Sequence, residues 1–72
     1  MHVIIGKTAD LGPALRERRL AIGVTQKTLA DYCQLSHNRI SRIELGNTDV
    51  KLSTLVKMAK YLGLKVVLQG EP

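Results

Sequence analysis

Apolar residues return at helical spacing in four stretches of the chain. These are Leu11, Ala14, Leu15 and Ile22, then Leu29, Ala30 and Cys33, then Ile40 and Ile43, and finally Leu52, Leu55, Val56, Ala59 and Leu62. Side chains three, four and seven positions apart share one side of a helix, so each set predicts an amphipathic helix with an inward stripe. Thr8 or Asp10 can cap the first helix, Pro13 fits its first turn, where no backbone donor is missed, and Gly23 stops it after Ile22. Thr25 and Ser36 are N-cap residues for the second and third helices, while Gly46 and Gly63 end the third and fourth. At both ends of the chain the pattern changes. The β-branched run His2-Val3-Ile4-Ile5 and the segment Leu64 to Gln69, built around Val66 and Val67, predict short strands.

The second and third helices are separated by only a tight turn, giving a helix-turn-helix unit over residues 25–46. At about 100° per residue, Ile40 and Ile43 define the inward face of the third helix. Asn38 then points almost directly away, Ser41 and Arg42 lie on the outer flanks, and His37 and Arg39 sit at the sides. All five can donate to phosphates or base edges, His37 from either ring nitrogen. Any surface helix has a polar outer face, but no acidic residue occurs between Asp31 and Glu44. A second helix rich in donors, with no acid before Glu44, is the layout of a DNA reader.

Charge points the same way. Eleven Lys and Arg against six Asp and Glu give +5, with a pI of about 9.8, which suits a polyanion. The length of 72 residues allows one domain, residues 1–72, with a small core. Such a chain buries only about 60% of its unfolded surface and is helped by a partner subunit. The apolar runs are a few residues long and no basic segment followed by an apolar one opens the chain, so no membrane association is expected and a soluble, cytoplasmic protein is. The single cysteine, Cys33, lies on an inward face and reads as a core residue. An enzyme is not expected: the six acids are scattered and the two histidines are 35 positions apart. No Gly-rich phosphate loop or Cys/His metal spacing appears, so neither cofactor nor metal is expected.

The stretch LRERRLAIGVTQKTLADYCQLSHNRISRIELG, Leu15 to Gly46, resembles the helix-turn-helix of the lambda-repressor and Cro (XRE) superfamily. The likeness rests on an Arg in the first helix, Gly-x-Thr-Gln, Leu-Ala, Ile-Ser-x-Ile-Glu and a following Gly, and it continues through LSTLVKMAKYLGL. It implies a mainly α, four- to five-helix DNA-binding domain. The helical wheel places Arg18 and Arg19 on both flanks of the first stripe and does not choose between them. The resemblance implies that Arg19 pairs with Glu44 as a structural tie, leaving Arg16 and Arg18 freer for phosphates.

The resemblance further implies base contacts from Ser36, His37, Asn38 and Arg39, with Arg42 one turn on. Asn38 suits adenine, and Arg39 or Arg42 suits guanine. Phosphate contacts are expected from Thr25, Gln26 and Ser41, and from Asn47 and Lys51 in the loop that follows. His37 reads either as a pH-dependent phosphate contact or as a neutral donor. Gln34 stands where the family usually has Gly, and a left-handed backbone there costs on the order of 1 kcal/mol.

Many members of the superfamily continue into a fifth helix where this chain has LKVVLQ. A lone strand over 64–69 needs a partner, so Lys65, Val66, Val67 and Leu68 are expected in a small sheet. The strand would pair with the N-terminal strand, with the same segment of a second chain, or with both. A two-fold dimer would set two recognition helices one turn of DNA apart, on a palindromic site with half-sites about 10 bp between centres. This ending is similar to that of HipB-type antitoxins. That narrower resemblance implies an autoregulating repressor that also binds a HipA-type serine/threonine kinase toxin. A free-standing phage-type or metabolic regulator is the alternative.

Overall fold

The computed structural model describes residues 4–70. A 3-10 turn, Thr8–Asp10, leads into α1 (Leu11–Ala21), followed by α2 (Gln26–Cys33), α3 (His37–Glu44) and α4 (Leu52–Tyr61). Thr25 caps α2, its side-chain oxygen accepting from the Thr28 N–H at 3.1 Å, and Ser36 caps α3 by accepting from the Arg39 N–H at 3.0 Å. Neither Thr8 nor Asp10 makes such a bond.

All four helices end alike, with a left-handed residue at Gly23, Gln34, Gly46 and Gly63. In each case the next N–H reaches back to a carbonyl five residues earlier, as in Leu35 to Ala30 at 2.9 Å. That closure satisfies carbonyls which the helix itself leaves bare. Among the described residues Gln34, at φ 59° and ψ 40°, is the one position where a side chain is carried through this strained region.

The core is a cluster of Leu15, Leu29, Ala30, Cys33, Ile40, Ile43, Met58 and Leu62, with Leu11, Val24, Leu35, Val50, Leu55, Tyr61 and Leu64 packed around it. Burying one such aliphatic side chain is worth about 1.5–3 kcal/mol. The Tyr32 and Tyr61 rings, with centroids 4.6 Å apart, join α2 to α4. The inward arc of α4 runs through Leu55, Met58, Ala59 and Leu62, so Met58 replaces Leu52 and Val56 of the expected stripe. Those two are exposed, as is Ile22 at the end of α1.

Gly12 sets how closely α1 meets α3. A Cβ there would lie 2.0 Å from the Ile43 carbonyl oxygen and 2.9 Å from that of Glu44.

Among the described residues the sheet expected from the sequence is absent. The described residues contain no strand, and the fold is all helical. Leu64 is held by its N–H bond to the Ala59 carbonyl at 2.8 Å and packs on the core. Beyond it, Lys65, Val66, Val67 and Leu68 are exposed, with Leu68 at 98%. β-Branched residues favour extended backbone, but a strand exists only where a neighbour supplies a hydrogen-bonded ladder. Ile4 and Ile5 supply none, and the His2 and Val3 part of the expected N-terminal strand lies outside the described residues. Among the described residues no helix is long and apolar enough to cross a membrane.

Candidate nucleic-acid interface

The exposed side of α3 is built outward from a buried anchor. Arg19 and Glu44 are 6% and 2% exposed, yet both are charged. Arg19 Nε donates to Glu44 Oε2 at 2.6 Å and its Nη2 to Oε1 at 3.0 Å, while Nη1 donates to the Val24 carbonyl at 2.8 Å. A two-pronged guanidinium-carboxylate pair fixes direction as well as distance, so α1, the turn before α2, and α3 are locked together.

The lock extends to Gln26. Its side-chain Nε2 donates to Glu44 Oε1 at 2.9 Å, and its Oε1 lies 2.6 Å from His37 Nε2. Gln26, expected on a phosphate, bridges the buried pair to the first residue of α3 and keeps the second hydrogen of its amide to donate. Only a contact far apart in sequence reveals this, so the helical pattern carried no signal of it.

The remaining expected residues divide according to what already holds them. Asn38 and Arg42 are exposed on α3, with no side-chain hydrogen bond among the described residues. Ser41 is half-buried beside them. The Ser36 oxygen is engaged as a cap but keeps its own hydrogen to donate. Thr25 Oγ1 accepts from the Thr28 N–H and donates to Thr28 Oγ1 at 2.9 Å, so its hydroxyl is turned inward on the cap.

Arg39 is half-buried and occupied. Its Nη1 donates to Thr48 Oγ1 at 2.9 Å and its Nη2 to the Asp49 carbonyl at 3.1 Å. It ties the loop after α3 back to the helix and so holds the segment that presents Asn47 and Lys51, both exposed. Arg18, expected to be free, donates from Nε to the Leu62 carbonyl at 2.8 Å and closes the end of α4. Lys27 lies 3.7 Å from Asp31 on the exposed face of α2. Arg16, Lys27 and His37 line one open groove with Gln26, and no acid shares that lining. Cys33 is buried in the core, where burial pushes its thiol pKa up against a smaller opposing pull from Lys57. Among the described residues no cluster of His, Cys, Asp or Glu could hold a metal.

A second short helix anchored from behind, offering donors outward and flanked by exposed cations, is the fold of a helix-turn-helix DNA-binding regulator. A helix-turn-helix family model matches residues 15–68, and the chain belongs to that family, in its XRE-type branch. Among solved structures it is similar to the restriction-modification controller protein C.AhdI from Aeromonas hydrophila. The identity is 33% over 81% of this chain and 88% of that one, with a TM-score of 0.75. It is also similar to a chain of the HipA-HipB-O2-O3 complex, at 25% identity over 99% of this chain and 100% of that one, with a TM-score of 0.83. A HipB variant in complex with an O2 20-mer matches at 25% identity over the whole of both chains, with a TM-score of 0.84. No curated protein sequence matched the chain.

Proposed function

We propose that the chain, acting as one DNA-binding domain, is a cytoplasmic transcriptional repressor that binds a palindromic operator as a homodimer. We further propose that it is the autoregulating antitoxin of a HipA-type serine/threonine kinase toxin. The observation that carries this reading is the end-to-end correspondence with HipB in its complexes, which runs past α4 into the tail. Asn38 and Arg42 take the base edges, with Ser36 and His37 at the start of the helix. Gln26, Ser41, Asn47 and Lys51 face phosphates, joined by backbone amides at the N-terminus of α2 beside Thr25. Arg39 serves by ordering the loop that carries Asn47 and Lys51. A second copy of the chain covers the exposed Leu52 and Val56 of α4 and the apolar tail.

The test is to recover the tagged chain from its native host with and without nuclease. A stoichiometric kinase-like protein that survives nuclease supports the antitoxin reading, and its absence overturns it. DNA recovered alone favours a free-standing regulator, a reading supported by the higher identity to the controller protein. For DNA binding itself, log affinity should fall with log salt at a slope near −0.9 per phosphate neutralised, and a flat response would refute it. Arg42→Ala should flatten preference at one base pair by about 1–3 kcal/mol, whereas Lys51→Ala should weaken all sequences alike.

A further inference from the structure

His37 has a ring nitrogen whose state is dictated from inside the protein. Glu44 is a buried carboxylate whose oxygens already receive Arg19, and a carboxylate can only accept. The group of Gln26 that faces Glu44 must therefore be its NH2, which fixes the amide and turns its carbonyl oxygen toward His37. A carbonyl also only accepts, so at 2.6 Å His37 Nε2 must carry the hydrogen. In a neutral imidazole this leaves Nδ1 as a bare acceptor. Nδ1 has no hydrogen-bond partner among the described residues, the ring is exposed, and the groove beside it is lined by Arg16, Arg19 and Lys27.

We propose that the Arg19–Glu44–Gln26 relay locks His37 in its Nε2–H form, so that Nδ1 accepts from an exocyclic amino group in the major groove, adenine N6 or cytosine N4. His37 is then a specificity-determining residue and Gln26 the residue that positions it. This rests on the DNA-binding reading above. It inverts the simplest expectation for a histidine on a basic helix, which would donate to guanine or phosphate. In the major groove adenine and cytosine present an amino donor, whereas guanine presents only acceptors, so an acceptor at Nδ1 discriminates between them.

The tautomer can be read without DNA. In the full chain carrying His2→Gln, two-bond proton–nitrogen correlation spectra of 15N-labelled histidine at alkaline pH should report the Nε2–H form for His37. Gln26→Lys places a donor-only group between Glu44 and the ring, and should switch the spectrum to the Nδ1–H form. Gln26→Ala, which removes the constraint without adding a charge, should give a mixture. A mixed or Nδ1–H spectrum for the chain with Gln26 intact overturns the lock, whatever the protein binds.

Selection from a randomised duplex pool tests the reading. At the base pair whose preference disappears in His37→Ala, the wild type should favour adenine or cytosine over guanine by about 2- to 10-fold, the range of one net hydrogen bond. Gln26→Lys should reverse that order. A correct tautomer with no base pair sensitive to His37→Ala overturns the specificity role. Recovery of no duplex at all overturns the DNA-binding reading itself, a result distinct from an incorrect tautomer.

Discussion

Removing the Glu44 carboxylate should cost this small protein a large share of its stability. Glu44→Ala deletes the acceptor of two Arg19 bonds and one Gln26 bond and leaves a guanidinium that is 6% exposed with only the Val24 carbonyl for company. Breaking a buried ion pair from one side costs about 3–5 kcal/mol, because the surviving charge is desolvated and uncompensated. At roughly 0.05–0.15 kcal/mol per residue, a chain of 72 residues has about 4–11 kcal/mol in total. With about 4–8 °C per kcal/mol at this size, the melting temperature should drop by at least about 12 °C. Urea denaturation measures the loss directly. The companion experiment is the double variant Arg19→Met/Glu44→Leu, in which neither charge remains to be desolvated. It should recover more than half of what Glu44→Ala loses, because an apolar pair of similar volume replaces buried ions at little cost. A loss below about 1 kcal/mol for Glu44→Ala, or a double variant no better than the sum of the single ones, would refute the reasoning.

Gly12→Ala should destabilise by about 1–3 kcal/mol or more by thermal melt, since its methyl group meets backbone carbonyls of α3 that cannot swing aside. Gln34→Gly should act in the opposite sense, raising stability by up to about 1 kcal/mol by relieving the left-handed strain, with DNA preference unchanged. Cys33 should resist alkylation in the folded protein, because its thiol is buried and its pKa is raised, keeping the reactive thiolate scarce. For an acid whose folded pKa lies above its unfolded one, the folded state holds its proton longer. Stability is therefore intact below the ordinary thiol range and falls as pH rises through it, a decline that Cys33→Ala should reduce in urea titrations.

The helices were legible because their signals are local. Thr25 and Ser36 cap from their own positions, and the three glycines stop helices by their own backbone freedom, whatever else the chain does. Ile40 and Ile43 define an inward face from spacing alone, and from that face Asn38 and Arg42 must point outward. The strand over 64–69 misread a local preference as structure. Val66 and Val67 favour extended backbone, but the ladder that makes a strand belongs to a neighbour, and no described residue provides one.

What the sequence by itself determined is therefore the set of helices, the caps of α2 and α3, the three glycine stops and the polar face of α3, each decided within four or five residues of chain. Only the tertiary structure decided what the long polar side chains do. Arg18 on Leu62, Arg39 on Thr48 and Asp49, and Gln26 between Glu44 and His37 are bonds across 9 to 44 positions. Each such side chain is flexible enough to face solvent, phosphate or protein. Which one it meets depends on where other helices place an acceptor, and the packing around Gly12, Leu29, Ile40 and Met58 sets those positions.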